Sequence, residues 1–113
     1  MRQYQPIPKK KKIEILSQLD KVKGRELCLL LLSLSELDDW RWAQEKYLEF
    51  INDEDEWVAK AAINGLGYIA RISRNLDKDK VVKKLQGLVQ IRPKMRSTVE
   101  DAINDIEMFL SRK

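Results

Sequence analysis

The chain predicts an all-α fold, a short α-solenoid of three antiparallel helical hairpins, and three observations carry that prediction. Two stretches, residues 38–73 and 75–110, repeat one another at a spacing of 37 residues. Lys46/Lys83, Leu48/Leu85 and Ile69/Ile106 are identical, and Ile51/Leu88, Val58/Met95, Gly65-Leu66/Ala102-Ile103 and Ile72/Phe109 match in apolar character. A period of this length, each unit reading as a short helix, a polar turn and a longer helix, implies stacked units that bury a shared core. Second, the apolar residues recur at helical rather than strand spacing. Third, the composition of 43% hydrophobic and 35% charged residues, with four Gly and three Pro among 113 residues, fits a helical domain better than a disordered or β-rich one. One domain spanning residues 1–113 follows, with hairpins at about 12–37, 38–73 and 75–110.

Taken in order, residues 1–11 read as an extended basic segment. The prolines of Gln5-Pro6-Ile7-Pro8 disfavour helix, and four lysines at 9–12 oppose a helix dipole, which predicts a frayed or non-helical turn. A first helix is expected over about 12–19, with Ile13, Leu16 and Leu19 on one side. Gly24 separates it from a second, about 25–37, apolar nearly all round and therefore buried on more than one side. Asp38 and Asp39 are caps for a third helix running to about Asn52, with Trp40, Ala43, Tyr47, Leu48 and Ile51 inward. The acidic turn 52–56 leads into a fourth, about 54–73, burying Val58, Ala61, Ala62, Leu66, Ile69 and Ile72. Gly65, Gly67 and the alanine pair permit close approach of a neighbour. The fifth begins near Asp77 or Lys78, with Val81, Val82, Leu85, Leu88 and Val89 inward. Pro93 sits in a turn or at a first helical position, where its missing amide is harmless. The sixth covers about 95–110, burying Met95, Val99, Ala102, Ile103, Ile106 and Phe109.

The net charge of +4 conceals segregation. Residues 1–26 carry +5, residues 36–56 carry −7, residues 57–98 carry +8 and residues 99–113 carry −2. The overall balance describes no actual surface, so it does not argue for nucleic acid. A single cysteine, Cys28, excludes an internal disulfide and reads as a buried, inert thiol. There is no histidine, which removes the commonest general base and metal ligand. With no phosphate-binding glycine loop and no paired cysteines, the expectation is a protein that is not an enzyme and takes no cofactor or metal. The longest apolar run, 27–32, is too short for a membrane span, and no signal-peptide pattern follows Met1. A cytoplasmic protein is expected.

The segment 56–69, Glu-Trp-Val-Ala-Lys-Ala-Ala-Ile-Asn-Gly-Leu-Gly-Tyr-Ile, resembles the second helix of a HEAT repeat, with a valine, an alanine pair, then Leu-Gly and a β-branched residue. The acidic turn Asn52-Asp53-Glu54-Asp55 before it is similar to that family's inter-helix turn. Asp39-Trp40-Arg41-Trp42-Ala43-Gln44, residues 66–72, Leu76-Asp77 and residues 99–109 together resemble small single-domain bacterial HEAT-like proteins. Some of those are immunity proteins of contact-dependent growth inhibition or other polymorphic toxin systems. The resemblance covers about 38–110. It implies stoichiometric binding and occlusion of a toxin C-terminal domain, with no turnover.

Two surfaces are candidates for that contact. Trp57, Lys60, Asn64, Tyr68 and Arg71 fall within an arc of about 100° opposite the core direction of the fourth helix, and Trp, Tyr and Arg are enriched at binding hot spots. The bland alternative leans the aromatics on neighbouring repeats and pairs Lys60 and Arg71 with Asp101 and Asp105. On the third helix, Trp42 with Glu45 and Glu49 offers an exposed tryptophan in an acidic field, suited to a basic partner; the alternative is that the N-terminal segment covers Trp42 and the acids are ordinary solvated charges. Nucleic-acid binding through the lysines at 9–12 or the basic segment 57–98 is a weaker alternative, because no aromatics interleave the lysines. A third is an adaptor with an unrelated partner.

Overall fold

A computed structural model describes residues 9–37 and 39–110, with side chains from Ile13 onward. The extended segment expected before residue 9 and the expected cap Asp38 lie outside the described residues. Six α-helices, and no strand among the described residues, make up the fold: α1 (Lys9–Lys21), α2 (Gly24–Leu34), α3 (Trp40–Phe50), α4 (Glu56–Ser73), α5 (Lys78–Ile91) and α6 (Arg96–Leu110). The molecule measures 38 × 37 × 22 Å.

The lysine run is helical. Helix α1 starts at Lys9, because straight-chain lysines lose little rotamer freedom in a helix and a water-screened charge at a helix end costs only about 0.3–1 kcal/mol. Its inward edge is the expected Leu19 together with Ile15, one turn before it; the other two of the expected row face out, Ile13 66% and Leu16 36% exposed. Helix α2 opens on Gly24 at φ +58°, in the left-handed region that favours glycine. It buries Leu27, Leu31 and Leu34 on one face while Leu29 stays exposed, so the leucine run is not buried all round. It stops at Leu34, short of the expected Leu37. Ser33 and Ser35 hydroxyls donate to Leu30 O and Leu32 O at 2.6 and 3.0 Å there, local bonds that compete with helix continuation.

Asp39 caps α3, its carboxylate accepting the Trp42 N–H. Helix α3 and the residue that caps its end bury Ala43, Gln44, Tyr47 and Ile51, with Trp40 and Leu48 half-buried. Helix α4 is the centre of the molecule and packs against α2, α3 and α6. Ala59, Ala61, Ala62, Gly65, Gly67 and Ala70, all buried, keep it slender enough for three neighbours. Ile72, expected inward, is 49% exposed, because it lies in the last turn before the left-handed Arg74 ends the helix. Helix α5 turns Val81, Leu85 and Leu88 toward α6 and the core, leaving Val82 and Val89 half-buried. Pro93 opens a 3-10 turn that delivers buried Met95 to the start of α6. Helix α6 buries Val99, Ala102 and Ile106 and half-buries Ile103 and Phe109.

The internal repeat is visible in the packing. Val58/Met95, Ala62/Val99, Gly65/Ala102 and Ile69/Ile106 are buried in both members of each pair. Arg92 ties the two repeats at their turns, its Nη1 donating to Asp53 O at 2.6 Å. Among its described side chains, α1 joins the hydrophobic core only through Ile15 and Leu19. No helix among the described residues is long and apolar enough to cross a membrane.

Candidate partner-binding face

The acidic turn before α4 sets the geometry of its first residues. The Asp53 carboxylate accepts the Asp55 N–H at 2.8 Å, and the Asp55 carboxylate accepts the amides of Trp57 and Val58 at 2.9 and 3.4 Å. The capped turn sends Val58 into the core and Trp57 outward, 1% and 71% exposed. Lys60 lies over the Trp57 ring at 5.2 Å and reaches Glu56 at 3.6 Å. From 57 to 71 the residues of α4 that escape burial are Trp57, Lys60, Asn64, Tyr68 and Arg71, the five positions of the expected stripe. Lys60 and Arg71 do not pair with Asp101 and Asp105; Arg71 instead lies 5.7 Å from the Phe109 ring centroid.

Beside Trp57 a trough separates the head of α2 from the head of α4. One cavity of about 350 Å³ is lined by Gly24, Arg25, Cys28, Asp55 and Trp57. A second of about 460 Å³ shares Gly24 and Asp55 and adds Leu27, Glu54 and Val58 to its walls. Cys28 is therefore half-buried on a cavity wall rather than sealed in the core. Burial, then the carboxylates of Asp55 and Asp53, push its thiol above the ordinary range, which keeps it protonated and weakly nucleophilic at neutral pH.

The α3 surface differs from expectation. Trp42 is half-buried and packs against the core cluster, so it is no exposed tryptophan. Its acidic neighbours already have partners: Glu45 takes Lys80 Nζ at 2.9 Å and Gln44 Nε2 at 2.9 Å, while Glu49 takes Lys46 Nζ at 3.0 Å. The bonds from Gln44 and Lys80 hold the Glu45 carboxyl below its usual value. The repeat supplies this neutralisation, since α5 brings Lys80 to α3. Sequence reasoning passed over Gln44, fully buried, whose amide bonds both Asp77 Oδ2 and the Asp77 N–H at 2.8 Å. A signal existed, because Gln44 aligns with inward Val81 in the repeat. It also passed over Arg74, whose guanidinium joins that of Arg71 at Phe109, 4.9 Å from the centroid. No glycine marks the end of α4, so nothing in the sequence announced a left-handed residue there.

No group of three or more His, Cys, Asp or Glu among the described residues is placed to hold a metal ion. Comparison with protein-family models, with curated proteins and with solved structures returns no match to this chain.

Proposed function

We propose that the chain is a three-hairpin, HEAT-like solenoid that binds a bacterial toxin domain in the cytoplasm and neutralises it by stoichiometric occlusion. The observation that carries this reading is Trp57, 71% exposed at the head of the central helix and standing over a trough. Exposing a tryptophan to water forgoes on the order of 2 kcal/mol of burial, and such a residue beside a cavity is the usual anchor of a protein interface. Lys60, Asn64, Tyr68 and Arg71 extend the same face down α4. The stacked-hairpin reading is supported by α4 lying against both α2 and α6, with α3 on α4 and α5 on α6. The resemblance to small HEAT-like immunity proteins supplies the class of partner.

Nucleic-acid binding through residues 57–98 ranks below it. Lys78 and Lys80 in that segment are held by Glu107 and Glu45 at 2.5 and 2.9 Å, so part of its charge is spent within the chain. The test is co-expression with the toxin domain encoded by the adjacent reading frame. Cells should survive with the parent chain, and a complex should be recovered by pull-down. Death at the same rate with and without this protein would sink the reading.

A further inference from the structure

Helix α4 ends on a residue in an unusual conformation. Arg74 has φ 59° and ψ 23°, a left-handed backbone that glycine adopts freely and a side chain makes costly. Its N–H closes the helix on Ala70 O at 3.1 Å, a bond glycine would make equally well. The arginine is thus not needed for the cap. What its side chain does is meet Arg71 on one ring: the two guanidinium carbons lie 4.9 and 5.7 Å from the Phe109 centroid. Both arginines are exposed, and no carboxylate among the described residues lies within ion-pair distance of either. Asp105, one turn before Phe109, is turned onto α4 at Gly67, where a Cβ would lie 3.3 Å from its Oδ2. Ile72 and Met108, their sequence neighbours, are 49% and 55% exposed.

We propose that Arg71 and Arg74, gathered on Phe109, receive a carboxylate from the partner protein, carried on a segment whose neighbouring side chains are apolar. This rests on the protein-binding reading above. Two like charges on one ring repel, and a carboxylate relieves them through the forked bonds that guanidinium groups make. The apolar flanks follow from exposed Ile72 and Met108. A nucleic-acid strand fits less well. The ring already carries two cations and is not offered to a base.

The experiment follows the side-chain Nε–Hε resonances of the full chain by NMR during titration with four probes: a peptide alternating aspartate and leucine, its asparagine counterpart, an oligothymidylate and inorganic phosphate. The aspartate peptide should move the Arg71 and Arg74 signals saturably, and the asparagine peptide should bind about tenfold more weakly, as expected for loss of a charge-assisted bond. Arg74→Gly and Arg71→Gln should each lose about tenfold in peptide affinity. Arg74→Gly should melt within about 3 °C of the parent, since relief of the left-handed backbone offsets the lost ring contact. Equal binding of the two peptides, no peptide binding, tighter binding of the oligothymidylate or phosphate at physiological salt, or a large drop in melting for Arg74→Gly would each overturn the proposal. If Trp57→Ala abolishes the toxin complex while Arg74→Gly leaves it intact, this proposal fails and the broader reading stands.

Discussion

The ring of Tyr47 occupies the space that a Cβ on Gly65 would fill. Tyr47 belongs to α3 and Gly65 to α4, and the Tyr47 hydroxyl donates to Leu31 O of α2 at 2.5 Å, so one side chain joins three helices. Gly65→Ala must push the ring off its seat and break that bond. Overpacking and an unpaired buried carbonyl together should cost about 3–5 kcal/mol, read as a lowered urea midpoint at unchanged m-value. Gly87→Ala is the control. A Cβ there meets nothing within 4 Å, so helix propensity alone acts and stability should rise by about 0.5–1 kcal/mol.

Burial raises the Tyr47 phenol well above its ordinary range. The folded state therefore keeps a proton that the unfolded chain releases near pH 10. Stability from this group is complete below pH 10 and falls above it, by about 1.4 kcal/mol per pH unit, until the folded group itself ionises. Melting scans across pH 9–11 should show the parent losing stability faster than Tyr47→Phe, which lacks the titrating group. Parallel curves would show that the phenol is not the cause.

Gln44 and Asp77 join the first helix of one repeat to the start of the next through two bonds of 2.8 Å. Gln44→Leu leaves the Asp77 amide without its partner and should cost about 1–3 kcal/mol. Gln44→Glu is nearly isosteric but places a third carboxylate beside Asp77 and Glu45. Its own folded pKa is thereby raised, so its protonated form is tolerated at low pH and its deficit grows as pH rises through that value. Chemical denaturation of parent and variant at pH 4 and pH 7 should show the larger gap at pH 7.

Trp57 and Leu66 separate binding from folding. Trp57 is 71% exposed and Leu66 fully buried. Leu66→Ala should cost about 2–5 kcal/mol of stability. Trp57→Ala should shift melting by no more than about 2 °C, while weakening the complex with the partner proposed above by about 2–4 kcal/mol in calorimetric titration. A melting loss comparable to that of Leu66→Ala would make Trp57 a packing residue instead.

Periodicity made the uncovered stripe of α4 legible, because a helix packed on three sides leaves a single narrow stripe and 100° steps locate it; it did not reach buried Ile63 or exposed Ile72. Helix-start chemistry also gives the cap at Asp39 and the acidic turn before α4, and the repeat gives the pairs Val58/Met95 and Ile69/Ile106; that Asp55 is the residue capping α4 is visible only in the fold. Periodicity misjudged α1 and α2. A helix with few neighbours shows little contrast between its faces, so of the row Ile13, Leu16 and Leu19 only Leu19 is buried, and Ile15 joins it. Trp42 marks a different limit: helical angle gives direction from an axis, not whether a second element lies in that direction. Contacts between elements distant in sequence were beyond reach. Lys80 neutralising Glu45, Cys28 facing Asp55 across the trough, and the two arginines on Phe109 arise only once the chain is folded.

The slenderness of α4 has a consequence for how the molecule opens. A helix carrying Gly65 and Gly67 forfeits about 2 kcal/mol relative to alanine, so it holds its shape on loan from α2, α3 and α6. None of those three can detach without uncovering it. Fraying should run inward from α1, whose described side chains hold the core at two points, and stop at α2. The amides of α4 should then exchange with solvent only when the whole chain unfolds, which makes the central helix a built-in gauge of global stability.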